Sequence, residues 1–483
     1  MLRHKVTNFL SEISTFFKKN DATHAMYTIT NVIKGVRMNE KTLFGRTTRC
    51  NCTYTLLQIF QLLLVCPCFM IRNPYNISET LLGRQLGCQK DVFYEFLNNE
   101  MTDWRKLLYY ITTQLWTKIR IRSDHASDDT CLVIDDTDFP KTGRRMENIG
   151  RVHSHLQHKA ILGFKCLCLA ITDGISQMVL DFSILGEKGK KGNYGMNSKE
   201  LSKRYRTTRN DESPIKERLE EYDMTKIDLA IEMVGRAIQH KVKFRYVLAD
   251  SWFACAKIIK FIKGRHIKCD YLGMIKVGDN SRTKYGFGKK ELNAPSLIKT
   301  LDKQGQKKYS RRLKCWYIGT EVTFANTQVK LFFIRRSKRG PWSGLITTDL
   351  KLEFFKAYEL YSRRWSIEVV FKEEKNLLGL GKCQSRNFTA QIASTSLVAL
   401  QYNILSVVKR FEAYETIGEL FRKTNQDSIE LTVCQRIWGA ILELVAAITK
   451  VFSLNDEDVF DAMIHESNEL ARICSLYQAR MAG

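Results

Sequence analysis

Apolar residues recur at helical spacing through most of the first 125 positions, most clearly over 54–69 and 104–121. The opening stretch MLRHKVTNFLSEISTFFKKN reads as a basic amphipathic helix. Between these lies SETLLGRQLGCQKDVFYEFLNN, where short helical pieces flank Gly83 and Gly87. That pattern suits a helix-turn-helix, with Arg84, Gln85, Gln89 and Lys90 available to a nucleic-acid groove, although any small helical bundle looks similar.

At Cys131 the texture changes. Residues 131–135 form a short buried-strand pattern that runs into the polar cluster DDTDFPKTG. Strand-like runs follow at 164–171 and 178–185, separated by the turn signal Thr172-Asp173-Gly174. Residues 188–209 read as an exposed basic loop, 214–240 as a helix, 244–249 as a strand stopping at Asp250, 251–264 as a helix and 271–277 as a strand. This alternation predicts an α/β core. Residues 279–349 are rich in Lys, Arg and Thr, with strand candidates at 315–324 and 328–334 and no clear helix. A long helix starts near Leu352, and the pattern is again helical from Ala390 onward. The expected organisation is an N-terminal helical, DNA-binding region (1–125), the first part of the core (126–278), a β-rich insertion (279–349), a core helix (350–388) and a C-terminal helical region (389–483).

Charge narrows the function. The 483 residues carry 76 Lys+Arg against 51 Asp+Glu, a formal net charge of +25. A surplus that large calls for a polyanionic partner, nucleic acid first and an anionic membrane surface second. The membrane alternative weakens because the apolar stretch 56–71 contains Gln58, Gln61 and Pro67, and falls short of a clean span. The N-terminus has no signal-peptide pattern, so a cytoplasmic location is expected. The 14 Cys then read as reduced thiols. Three pairs have C-x-C spacing: Cys50/Cys52, Cys66/Cys68 and Cys166/Cys168. In FKCLCL the thiols alternate with Leu as core-facing strand residues do, so these are expected to act as small hydrophobes and not as zinc ligands.

Two acidic residues close core strands: Asp135 after CLVI and Asp250 after FRYVLA. Strand ends present groups on a rigid scaffold, and carboxylates held there suit hard cations. Each could equally cap the turn that follows it. The segment YSRRWSIEVVFKEEKNLLGLGK adds Tyr361, Arg364, Glu368 and Lys375 at offsets that, at about 100° per residue, share a helix sector of about 60°.

Y-x₂-R-x₃-E-x₆-K resembles the signature of one large group of bacterial insertion-sequence transposases, cut-and-paste DDE enzymes with a ribonuclease H-like core. All four places match, and the resemblance extends to Asp135 in IDDTDFPKTG, Asp250 in LADSWF and the run SRRWSIEVVFKEEKNLLGLGKCQSRN. It implies Mg²⁺-dependent excision and insertion of a DNA element, with Mn²⁺ able to substitute and two ions per active site. Asp135, Asp250 and Glu368 would be the catalytic metal ligands; Tyr361, Arg364 and Lys375 would hold DNA phosphates beside the cut. It also implies a homodimer on double-stranded DNA, at element ends and target, in the bacterial nucleoid and away from any membrane. In relatives a Trp of the insertion stacks on a flipped base; Trp252, Trp316 and Trp342 are the candidates here.

Asp136 competes with Asp135, since strand neighbours point to opposite faces and only one can share a site with Asp250. Val133 and Asp135 share one face, Ile134, Asp136 and Asp138 the other. The family tends to set its first Asp two residues before Thr or Ser, and Asp135-Asp136-Thr137 matches that spacing with Asp135. The rival functions are a repurposed relative that binds DNA without cutting it, and a ribonuclease H-like nuclease that cuts without joining. Arg364→Ala and Lys375→Ala are each expected to weaken binding to element ends and to flatten its salt dependence by a slope of about 0.9, one phosphate's worth. Unchanged slopes in both variants would make the signature structural.

Overall fold

The computed structural model describes residues 25–48, 52–71, 76–77, 89–122, 129–264, 268–278, 281–412, 414–453 and 455–468. The N-terminal amphipathic helix and the first half of the helix-turn-helix candidate, including Arg84 and Gln85, lie outside them. Gln89 precedes, and Lys90 opens, a helix over Lys90–Asn98. The chain divides into two compact units: 1–119 with 205–215 and 373–483, and 120–204 with 216–372.

The first unit is helical. Helix Leu56–Val65 starts with a capping box in which Thr55 and Gln58 satisfy each other's backbone N–H groups. Its Phe60 joins Phe44, Phe96 and Trp104 in a chain of edge-on and tilted aromatic contacts. Helix Phe388–Phe411 is apolar almost all round, as an element surrounded by its neighbours must be. It is long and apolar enough to cross a membrane, yet 94% of that stretch is buried within the fold. Two of its buried amides reach neighbouring helices: Asn403 donates to Thr112 Oγ1 at 2.8 Å, and Gln401 to the Leu63 carbonyl at 2.8 Å.

The second unit is built on one twelve-stranded sheet. Its strands are β1 (Cys131–Pro140), β2 (Gly150–Ser154), β3 (Lys159–Thr172), β4 (Gln177–Leu185), β5 (Tyr246–Ala249) and β6 (Asp270–Ile275). They continue with β7 (Lys284–Phe287), β8 (Lys290–Asn293), β9 (Lys308–Ser310), β10 (Cys315–Phe324), β11 (Thr327–Arg335) and β12 (Ser343–Thr347). The order is β2-β3-β1-β5-β6-β12-β11-β10-β7-β8, with β4 also on β3 and β9 on β10. β5 runs parallel to β1, and β6 to β5, while β3 is antiparallel to β1. The strands of 279–349 extend this same sheet, because β12 pairs with β6.

Several elements depart from the sequence reading: β1 runs on past Asp135 to Pro140, and the stretch expected as an exposed basic loop holds a short helix, Ser198–Ser202. A helix, Ala294–Lys303, lies inside the region expected to have none. Its signal was present: Asn293 caps it, Pro295 sits in its first turn, and Ala294, Leu297, Ile298 and Leu301 form a buried stripe. The single helix over 214–240 is two, Ile215–Glu221 and Lys226–Gln239, because Thr225 accepts from Asp228 N–H and starts a new one. The long helix from 352 is also interrupted. Phe354–Ser362 passes through a 3₁₀ turn at Arg363–Trp365 into Ser366–Glu373, and then a π turn, Glu374–Leu378.

Helix Lys226–Gln239 packs on β3 and β4 and is fastened there by charge. Fully buried Asp181 of β4 accepts from Arg236 Nε at 2.7 Å, and Arg236 reaches Glu221 at 3.2 Å. Arg218, also buried, lies 3.8 Å from Asp181 and 3.6 Å from Glu221, whose carboxylate takes the Ser183 hydroxyl at 2.8 Å. Removing one member leaves the others charged in a low dielectric. Asp181→Ala is therefore expected to lower unfolding free energy by about 3–5 kcal/mol in chemical denaturation; a loss below about 1 kcal/mol would mean the cluster is solvated.

Candidate active site

β1 and β5 run side by side in register, Ile134 opposite Ala249. The residues one step further along are Asp135 and Asp250, so the pairing that joins the strands also sets the two carboxylates side by side. Asp250 follows the end of β5, but Asp135 is not the strand end expected from sequence, because β1 keeps its pairing with β3 as far as Pro140. Both line one cavity of about 430 Å³, together with Asp136, His155, Lys226 and Trp252. Asp250 also caps its loop, accepting the Trp252 N–H at 2.9 Å. The capping role and the cavity position thus coexist.

Asp135 and Asp136 differ by partner. Asp135 Oδ1 accepts the Asp136 N–H at 2.9 Å, and Oδ2 accepts from Arg364 Nη1 at 3.0 Å. Asp136 Oδ2 lies 3.0 Å from Lys226 Nζ and 3.4 Å from Lys165 Nζ, which also pairs with Asp138. This is the alternation of a pleated strand: Asp136 and Asp138 turn to one lysine, and Asp135 turns to a different cation. Burial pulls the Lys165 ammonium down, but Asp138 and Asp136 outweigh that and leave it above its ordinary range. Burial pushes the Asp135 carboxyl up to about 7, against the pull of the Asp136 N–H and Arg364.

Arg364 draws the third carboxylate in. While Nη1 holds Asp135, Nη2 donates to Glu368 Oε1 at 2.6 Å. A planar guanidinium with a fork of donors suits this bridge, and the i, i+4 spacing brings Glu368 within reach. Arg364 stands inside the 3₁₀ turn and Glu368 beyond it, so an unbroken 100° progression does not apply from Tyr361 through Arg364 to Glu368. The Tyr361 ring centre is 6.0 Å from the Arg364 guanidinium carbon. Burial pushes the Tyr361 hydroxyl up to about 12, with Arg364 opposing the shift. Lys375 lies in the π turn, within the helical unit.

Among the described residues no three His, Cys, Asp or Glu side chains stand close enough to share one ion as arranged. The donor chemistry nonetheless fits a hard divalent cation. Asp135 and Asp250 offer only carboxylate oxygens to one cavity, and Glu368 is one guanidinium away from Asp135.

Sequence reasoning passed over Lys165, Lys226, Lys276 and His155, all of which line the cavity. Lys165 had a signal, as a lone cation inside the apolar run of β3. Trp252 lines the cavity with 57% of its surface exposed. Trp316 packs on Tyr309 at 4.9 Å, and Trp342 lies under Arg335 at 4.6 Å. The thiols of Cys66, Cys68, Cys166 and Cys168 are buried, as core hydrophobes would be.

Residues 43–267 match the family model described as DDE superfamily endonuclease, a span that includes Asp135 and Asp250 and stops short of Glu368. No curated protein matches the chain. Among solved structures, the cryo-EM structure of the piggyBac transposase synaptic complex with hairpin DNA is similar over 87% of this chain and 80% of that one, at 11% identity and a TM-score of 0.42.

The raised Asp135 pKa carries a sign. Because the folded value lies above the ordinary 3.8, the ionised form is disfavoured by folding. The penalty is absent below about 3.8, grows as pH rises, and is complete above about 7. In thermal melts with divalent ions chelated, Asp135→Asn should gain stability relative to the parent across that window and hold a constant difference above it. A difference independent of pH would mean Asp135 titrates normally.

Proposed function

We propose that the chain is a DNA transposase of the insertion-sequence DDE type, with a ribonuclease H-like core that excises an element and joins it to a target. The observation that carries this reading is the shared cavity of Asp135 and Asp250 on adjacent parallel strands, with Arg364 linking Asp135 to Glu368. The family match over 43–267 supports the DDE-type endonuclease class. The order β4-β3-β1-β5-β6, with β3 antiparallel and β5 and β6 parallel to β1, supports the ribonuclease H-like reading.

In this reading Asp135, Asp250 and Glu368 hold two Mg²⁺ ions, or Mn²⁺ in their stead. Bound there, the ions supply the Lewis acidity that phosphodiester hydrolysis and strand transfer need. The chain's own residues do the rest. Arg364 keeps Asp135 and Glu368 turned toward each other in the free protein and, with Tyr361 and Lys375, contacts the phosphates of the bound strand. Lys165 and Lys226 neutralise Asp136, so the acidic end of β1 does not repel that strand. Pairing two element ends calls for two copies of the chain on DNA, in the nucleoid of a bacterial cell.

The test uses duplexes bearing the inverted repeats that flank the coding region. Glu368→Gln should abolish Mg²⁺-dependent cleavage with end binding kept within a few-fold. Asp135→Asn should do the same, whereas Asp136→Asn should reduce cleavage by about 10–100-fold, the usual loss for a group supporting a ligand. Near-parent nicking by Glu368→Gln removes it from the ligand set, and the reverse ranking of the aspartates moves the ligand to Asp136. Cleavage without joined products would make the protein a nuclease.

A further inference from the structure

The most exposed large apolar side chain among the described residues is Leu156, at 88%. It contributes nothing to a core. It sits at the tip of the hairpin formed by β2 and β3, where Ser154 pairs with Lys159 and residues 155–158 make the turn. Single exposed leucines are common and need no explanation. Leu156 differs because its hairpin tip lines the cavity that holds Asp135 and Asp250.

The surroundings sharpen the contrast. Leu156 stands between His155 and Gln157, with His158 and Lys159 following, so the tip is one apolar side chain in a polar and basic frame. The same cavity is lined by Trp252, the only other large apolar side chain among its lining residues and also largely exposed. Lys226 and Lys276 stand 5.8 and 5.7 Å from the Trp252 ring centre, and both line the cavity. Cations and two exposed apolar groups around a carboxylate cavity suit a ligand that brings both phosphates and flat apolar rings. The hairpin is also held in place. Its Glu187 anchor accepts the His153 N–H at 2.8 Å, and at its base a Cβ on Gly163 would collide with the Phe139 carbonyl.

We propose that Leu156 is a wedge that enters a base step of DNA at the mouth of the carboxylate cavity, opening that step against the Trp252 side of the cavity. The proposal rests on the DNA reading above and adds to it a residue that no phosphate or metal contact would require. Insertion of an apolar side chain unstacks a step at a cost of a few kcal/mol, so a duplex already weakened at that step should bind more tightly.

Two 30-bp duplexes, one fully paired and one with a central mismatch, can be compared by fluorescence anisotropy in chelator, with 2-aminopurine beside the mismatch reporting stacking. The unaltered protein should prefer the mismatched duplex by about 10-fold, which is about 1.4 kcal/mol, and should brighten the 2-aminopurine. Leu156→Ala should cut the preference to within about 2-fold and abolish the brightening, with paired-duplex affinity and salt slope unchanged. Leu156→Met, which keeps apolar reach, should retain both. A preference that survives Leu156→Ala overturns the wedge, as does equal weakening toward both duplexes. Failure of the unaltered protein to bind either duplex would instead overturn the DNA reading.

Discussion

Everything at the candidate site follows from the parallel register of β1 and β5. Ile134 opposite Ala249 fixes Asp135 and Asp250 as neighbours, one still inside β1 and the other at the start of the loop after β5. Both strands are buried on both faces over the paired stretch, so a slip by one residue would draw Asp135 or Asp250 into an apolar environment. Core packing therefore holds the two carboxylates on neighbouring strands, Asp135 midway along β1 and Asp250 just past β5. The loops only decide what surrounds them.

Along β1 the carboxylates of Asp135, Asp136 and Asp138 each meet charge of the opposite sign. Three carboxylates at one end of β1 would repel one another strongly in a partly buried cavity. The fold divides the load: Lys165 and Lys226 take Asp136, Lys165 also takes Asp138, and Arg364 takes Asp135. Asp135 is the member whose partner is shared with another carboxylate, Glu368, and it is the one whose carboxyl burial lifts to about 7. A site arranged this way has one acid left under-compensated next to Asp250. That is the arrangement a hard cation would complete.

The parts of this legible in sequence were those encoded locally. Asp135 and Asp250 could be read because apolar runs stop there, although only β5 ends at that point and β1 runs on to Pro140, and the Tyr361 to Glu368 segment could be read because its spacing is near helical. Lost were the features set by partners far along the chain. Nothing near Lys165 says that it will meet Asp136 and Asp138, since the antiparallel pairing of β1 with β3 brings them together. Nothing near Ser343 says that β12 will join β6 and merge the 279–349 strands into the main sheet. The interruptions at Arg363 and Glu374 had no Pro or Gly to announce them, so uniform periodicity was assumed through both. Helix Ala294–Lys303 is a different kind of miss: cap, Pro and stripe were all present, but the surrounding lysines and threonines masked them.

The hairpin of β2 and β3 ties these levels together. β3 is long enough to serve two neighbours in turn along one side, β2 over Lys159–Gly163 and β4 beyond it, with β1 along the other. Gly163 stands at the handover, paired with both Pro140 and Gly150, in a backbone conformation with φ of 154°. A side chain there would meet the Phe139 carbonyl, so β1 could not lie so close to β3 at the point where the strands part. Beyond Gly163 the hairpin leaves the body of the sheet at the Asp135 end and carries His155 and Leu156 to the cavity. One residue without a side chain thus permits the close strand contact from which the hairpin departs, which makes Gly163 as much a part of the site's construction as the carboxylates are.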